Sequence, residues 1–180
     1  MAAVESQSRT HVIRFNELRS LPSSPADVLL SRYQRDRLSV IGRVEERRPD
    51  EPGAAVQANI NFGYIRCAPG KGNSSHMHPN WEIFIPMSGR WRLALEGGEL
   101  DAPCELILDT WDVIVVPPNT FHEATNVSAA DACLMSLNPG RKGAPYTVHP
   151  SVIEALRAVA PYAAEAAAHG KDVTTPQKPG

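Results

Sequence analysis

The sequence predicts an all-β chain, an antiparallel sandwich or small barrel, with a short helix near the C-terminus. Three observations carry this reading. The 180 residues include 16 prolines and 12 glycines, which favours many short elements over a helical bundle. From Val56 onward, short alternating segments follow one another at close spacing. After Pro150 the apolar period lengthens to that of a helix.

Each element can be justified in turn. The first ten residues are polar and read as a frayed end. HVIRF, from His11 to Phe15, reads as a short strand. Residues 26–41 mix apolar and basic positions and fit either a helix or a helix followed by a strand. RRPDEPG (47–53) has the composition of a loop. QANINFGYIRCA then alternates until Pro69-Gly70. WEIFIPM (81–87), RWRLALE (90–96), CELILDT (104–110) and DVIVVPP (112–118) are further strands, and 121–127 and 132–138 complete the series. Gly97-Gly98 reads as a tight hairpin turn. In the helix, Ser151 with Glu154 three positions later is a capping-box pattern, and Val152, Leu156 and Val159 lie at helical spacing. Pro161 ends or kinks it. The expected organisation is an arm or cap over 1–50, a barrel over 51–148, a helix over 149–170 and a disordered tail over 171–180.

Bulk composition narrows the function. A net charge of -2 gives no reason to expect a nucleic-acid or membrane-surface partner. The N-terminal MAAVESQSRT lacks an apolar signal region, and no apolar run approaches membrane-spanning length, so the expectation is a cytoplasmic protein. Three cysteines without a C-x-x-C pair read as free thiols. Neither a phosphate-binding G-x-x-x-x-G-K loop nor a G-x-S-x-G nucleophile elbow occurs.

Chemistry concentrates in GKGNSSHMHPNWEIFIPMSG, from Gly70 to Gly89. A strand repeats its side-chain direction every two residues, so His76 and His78 face one side if the backbone is extended. Glu82 shares their parity. Two imidazoles and a carboxylate suit one divalent cation, and His122, after the apolar strand ending at Pro117-Pro118, is the candidate fourth ligand. His11, His149 and His169 read as structural or surface residues.

The pattern resembles the cupin superfamily. Its first motif is G-x5-H-x-H-x(3,4)-E-x6-G, and Gly70, His76, His78, Glu82 and Gly89 fit every position. Its second, G-x5-P-x-G-x2-H-x3-N, is met by Pro117, His122 and Asn126, while Trp111 and Asn119 replace the two glycines. Trp111 in particular suggests that the turn there differs, or that Asp109-Thr110 takes over the bend. The resemblance covers about residues 56–138. It implies a double-stranded β-helix, or jelly-roll, barrel. It also implies one divalent metal per chain on His76, His78, Glu82 and His122, with Fe(II) favoured and Mn, Ni, Co or Zn the alternatives.

Among enzymes of this type the resemblance points to a dioxygenase acting on a small enolisable or aromatic compound, with Glu82 as the catalytic base. The alternatives are a non-oxidative isomerase, lyase or decarboxylase, or a metal-binding module without turnover. Parity supplies a candidate substrate lining of Tyr64, Arg66, Phe84 and Asn126. Trp81, Trp91 and Trp111 read as packing or dimer residues. Isolated barrels of this kind often dimerise, and Ile83, Ile85 and HVIRF supply an apolar outer surface, so a homodimer is expected.

Overall fold

The computed structural model of the protein describes residues 12–20, 23–41, 59–139, 146–170 and 172–174. The predicted loop at 47–53, His11 and the tail from 175 lie outside them. Among the described residues twelve strands form: β1 (Ser23–Pro25), β2 (Asp36–Ile41), β3 (Ile60–Cys67), β4 (Gly72–Met77), β5 (Glu82–Pro86), β6 (Trp91–Gly97), β7 (Cys104–Leu108), β8 (Ile114–Val116), β9 (Thr120–Asn126), β10 (Ala132–Pro139), β11 (Thr147–Val148) and β12 (Asp172–Thr174). Two helices follow β11, α1 (Pro150–Val159) and α2 (Pro161–Ala168).

The pairing is nested. β3 pairs with β10, β4 with β9, β5 with β8 and β6 with β7, all antiparallel. The chain from β3 to β10 is thus one long folded hairpin whose successive pairs alternate between two sheets. That is a jelly roll. One sheet runs β2-β3-β10-β5-β8 and the other β11-β4-β9-β6-β7. Gly97 and Gly98 both take positive φ, 76° and 61°, as a turn at the tip requires. The connection is longer than a tight hairpin, however, because β7 begins only at Cys104.

Alternation decides what each sheet buries. In β9, TFHEATN, every other residue from Thr120 to Asn126 is buried, and in β5 the buried residues are Glu82, Phe84 and Pro86. The apolar members meet between the sheets: Trp91, Leu93 and Leu95 from β6 face Phe84, Val116 and Leu134. Each fully buried Leu or Phe there contributes ~1.5–3 kcal/mol. Trp91 is fully buried, and its indole N–H donates to the Ser88 carbonyl at 3.1 Å.

Four expectations about the flanks need correction. HVIRF does not form a strand over its described part. Residues 12–14 are irregular and Phe15 opens a 3-10 turn whose ring packs on Tyr64. The division at residue 50 does not hold, since β2 is the edge strand of the first sheet. Residues 26–33 form 3-10 turns rather than an α-helix, and Ala26 and Tyr33 pack with α1 and α2. The region after residue 170 is not wholly tail, because Asp172–Thr174 pairs with Ser23–Pro25.

The helical segment also differs in detail. His149, not Ser151, caps α1, its Nδ1 accepting the Ser151 N–H at 3.2 Å. Pro161 starts a second helix. Val152 and Leu156 are buried as the spacing predicts, but Val159 is 62% exposed. The three cysteines are free thiols, as read from their spacing. No helix among the described residues is long and apolar enough to cross a membrane.

Candidate metal centre

β4, β5 and β9 bring the four candidate ligands together between the sheets. His76 and His122 are direct partners across the β4–β9 ladder, so their side chains share the inner face. Between Asn73 and His76 the β4 register shifts, and this irregularity re-aims the end of the strand. Gly72 makes the approach of β4 to β9 possible: a Cβ there would lie 1.8 Å from the Ala124 carbonyl oxygen. His78 follows β4, and Glu82 opens β5. One ligand atom from each of His76, His78, Glu82 and His122 lies within 4.8 Å of every other.

The backbone fixes which ring nitrogen each histidine presents. Nδ1 of His76 lies 2.8 Å from the Ser74 carbonyl, that of His78 2.9 Å from Asn80, and that of His122 2.9 Å from Thr120. A carbonyl oxygen only accepts, so each Nδ1 carries the proton and each Nε2 points inward with a lone pair. The Nε2 atoms of His78 and His122 lie 2.7 and 3.0 Å from Oε2 of Glu82. Lone pairs facing a carboxylate repel unless a cation stands among them. The Nε2 of His122 is buried and has no hydrogen-bond partner. This donor set, three neutral imidazoles and one carboxylate, fits a divalent transition metal.

The electrostatics agree. Burial, and then the neighbouring His122, push His76 down to about 3, so it is neutral at physiological pH. Burial raises the Glu82 carboxyl, but the facing imidazoles of His122 and His78 outweigh it and hold the group well below the usual range. For His78 burial lowers the value, yet the bond to Glu82 prevails and raises it.

A cavity of about 640 Å³ opens from this cluster. Phe84 lines it as the parity reading required, 1% exposed and with its ring 5.7 Å from that of His122. Tyr64 and Arg66 share a face, but it is the outer one. Their neighbours Gly63 and Ile65 face inward, opposite Ser136 and Leu134. Tyr64 lines the cavity, and its ring packs against Phe15 and Phe62. Arg66 pairs with Asp36 at 2.8 Å in solvent, away from the cavity wall. Asn126 points inward but ties a loop: Nδ2 donates to the carbonyls of Cys67 and Ala130, and Oδ1 accepts from the Ser128 N–H. These hydrogen bonds occupy both ends of its amide, so Arg66 and Asn126 do not line the cavity.

Two cavity residues escaped the sequence reading. Ser136 Oγ donates to Oε1 of Glu82 at 2.5 Å, and Asn138 Nδ2 lies 3.0 Å from Nε2 of His78. Both project inward from β10, where polar residues at alternate positions of CLMSLN were the available signal.

The two replaced motif glycines also have an answer. Trp111 and Asn119 are the non-glycine residues with positive φ, 75° and 59°, among those described. The turn has kept its left-handed geometry and forces a tryptophan into it. Asp109-Thr110 does not take over the bend.

A nested eight-strand hairpin with inward His76, His78, Glu82 and His122 defines a jelly-roll protein with a metal-type site. The family model of the cupin domain matches residues 63–138, so this stretch of the chain is similar to the cupin domain. No curated protein sequence matches it. Among solved structures, an oxalate oxidase is similar at 16% identity and a TM-score of 0.58, over 94% of this chain and 87% of that one. The oxalate decarboxylase of Lactobacillus farciminis, in a formate complex, is similar at 11% identity and a TM-score of 0.56, over 86% of this chain and 41% of that one. A match to the DMSP lyase DddQ of Ruegeria pomeroyi DSS-3 has 16% identity and a TM-score of 0.49, over 63% of this chain and 51% of that one. The chain thus spans about half the length of that lyase. At these identities the likeness is one of fold.

Proposed function

We propose that the chain is a metal-dependent cupin dioxygenase. It holds one divalent ion, Fe(II) in preference to Mn, Ni, Co or Zn, and acts on a small enolisable or aromatic compound. The single observation behind this is the convergence of the backbone-pinned Nε2 atoms of His78 and His122 on Oε2 of Glu82, with a ligand atom of His76 within 4.8 Å, beside a cavity. His76, His78, Glu82 and His122 would hold the ion, which when bound supplies a Lewis acid with positions open to oxygen donors.

The protein's own groups do the rest. Phe84 and the cavity walls exclude water from the reacting end of the substrate. Glu82, once released from the ion, would take the substrate's proton on Oε2, while Ser136 holds Oε1. Asn138 is within reach of an oxygen beside His78.

The working unit is a homodimer, a reading supported by the apolar outer face of β5 and β8. There Ile83 and Ile85 are half-buried, and Val115 and the adjoining Trp111 are exposed.

Elemental analysis of the purified protein beside His122→Ala tests the metal first. About one equivalent per chain, sharply reduced in the variant, is the expected result. Oxygen uptake with 1,3-diketones and catechols then separates oxidative from Lewis-acid chemistry. Metal without oxygen uptake would leave an isomerase, lyase or decarboxylase. No metal in either protein after reconstitution would overturn the proposal.

A further inference from the structure

The inner face of the first sheet carries a row of polar residues that starts at the metal cluster. β5, β10 and β3 lie side by side there. Leu137 stands opposite Ile83, and Asn138 stands opposite Asn61. Glu82, Asn138 and Asn61 therefore fall in one line across the three strands. Ladder partners share a face, and Nδ2 of Asn138 lies 3.0 Å from Nε2 of His78, so this face is the inner one. All three residues line the cavity, and both asparagines are part-exposed within it. Strands lie ~4.8 Å apart, which puts Asn138 one step and Asn61 two steps from the strand that carries Glu82. Nothing local accounts for Asn61. β3 is an internal strand, between β2 and β10, where asparagine is disfavoured. Further along the same face, Ile65 packs against the apolar core. Among the described residues no hydrogen bond engages the Asn61 amide, and none joins it to Asn138.

We infer that Asn61 is a specificity-determining residue: together with Asn138 it holds a hydroxyl group on the part of the substrate that extends away from the metal cluster. The inference rests on the function proposed above and narrows it, from enolisable or aromatic compounds to enolisable ones that carry a hydroxyl further along the chain. A primary amide offers two N–H donors and a carbonyl acceptor. Two amides on neighbouring strands, facing one cavity, match a group that accepts and donates at once. A hydroxyl does both, whereas a methyl group at the same place would leave both amides without partners. The pair is uncharged, so it gives a carboxylate no ion pair. Arg37, a cation lining the same cavity, stands opposite Ile65, four residues along β3 from Asn61. That is ~13 Å, too far for its charge to act at this step of the row.

The test uses metal-reconstituted protein and two probe series, pentane-, hexane- and heptane-2,4-dione and their ω-hydroxy counterparts. Calorimetry measures binding, and elemental analysis measures metal on the same samples. At one chain length the hydroxydiketone should bind about tenfold tighter than the plain diketone. In Asn61→Leu that ratio should fall to within about twofold of unity. Asn61→Ala serves if the leucine variant does not fold. The readout is a ratio taken within each variant, so a purely structural effect of the substitution, which weakens both probes alike, does not move it. Equal affinities at every length, with metal present, would overturn the inference and leave the metal reading intact. A preference that survives in the variant would overturn the role of Asn61, because the hydroxyl would then be held elsewhere. Failure of every diketone to bind the metal-loaded protein would overturn the inference too. Absence of metal would instead sink the reading on which it rests, and the inference with it.

Discussion

Ser136 Oγ donates to Oε1 of Glu82, and the other carboxylate oxygen faces His78 and His122 at 2.7 and 3.0 Å. The serine comes from β10 and the glutamate from β5, which are neighbours in one sheet with Ser136 opposite Phe84. The hydroxyl therefore divides the carboxylate into a held oxygen and a presented one. It favours single-oxygen coordination and fixes the rotamer. Ser136→Ala should weaken metal affinity by ~10-fold or more without changing the far-ultraviolet circular dichroism. Metal titration against a competing chelator measures this, and unchanged affinity would remove Ser136 from the positioning role.

Trp111 occupies a left-handed conformation at φ 75°, which costs a residue with a Cβ ~1–2 kcal/mol. Its ring is 66% exposed, so little packing offsets the strain. Trp111→Gly should therefore be more stable than Trp111→Ala by about 1 kcal/mol. The comparison isolates the backbone effect, because both variants lose the ring. Urea unfolding of the pair reads it directly, and equal midpoints would show that the turn relaxes.

Gly72 sits where any Cβ would collide with the Ala124 carbonyl. That atom is backbone in a paired strand and cannot swing aside. Gly72→Ala should destabilise by ~3 kcal/mol or more, and it should disturb His76 through the shared β4–β9 ladder. Thermal melting together with metal stoichiometry checks both parts. A variant that melts and loads like the parent would contradict the close approach.

Asp27 and Arg35 form a buried pair, with side chains 3% and 4% exposed. Removing one partner strands the other charge, so Asp27→Ala should cost ~3–5 kcal/mol. Replacing both at once should cost less than the sum of the single changes. A double-mutant cycle in urea would reveal independent effects if the pairing were unimportant.

The apolar outer face predicts self-association. Val115 is 49% exposed on β8, beside Ile83 of β5. Light scattering at micromolar concentration should give twice the chain mass, and Val115→Glu should halve it. A monomer in both would remove the dimer from the proposal.

Much of this was legible in the sequence, for a definite reason. Period-two alternation is a local property of the backbone, so β5, β6 and β9 and the face that Phe84 shares with Glu82 could be read residue by residue. The spacing of His76, His78, Glu82 and His122 likewise announced a metal-type cluster before any geometry was known. Alternation says which residues share a face but not which way that face looks. Tyr64 and Arg66 do share one, and it is the outer one. The segment around Phe15 and Leu18 covers Tyr64, so both sides of β3 are part-buried and its pattern is blurred. Tertiary structure alone decided that Ser136 meets Glu82 across fifty-four residues of chain, that β2 joins the sheet, and that Arg35 reaches Gly72. Such contacts depend on how distant strands are laid side by side, and no local period encodes that choice.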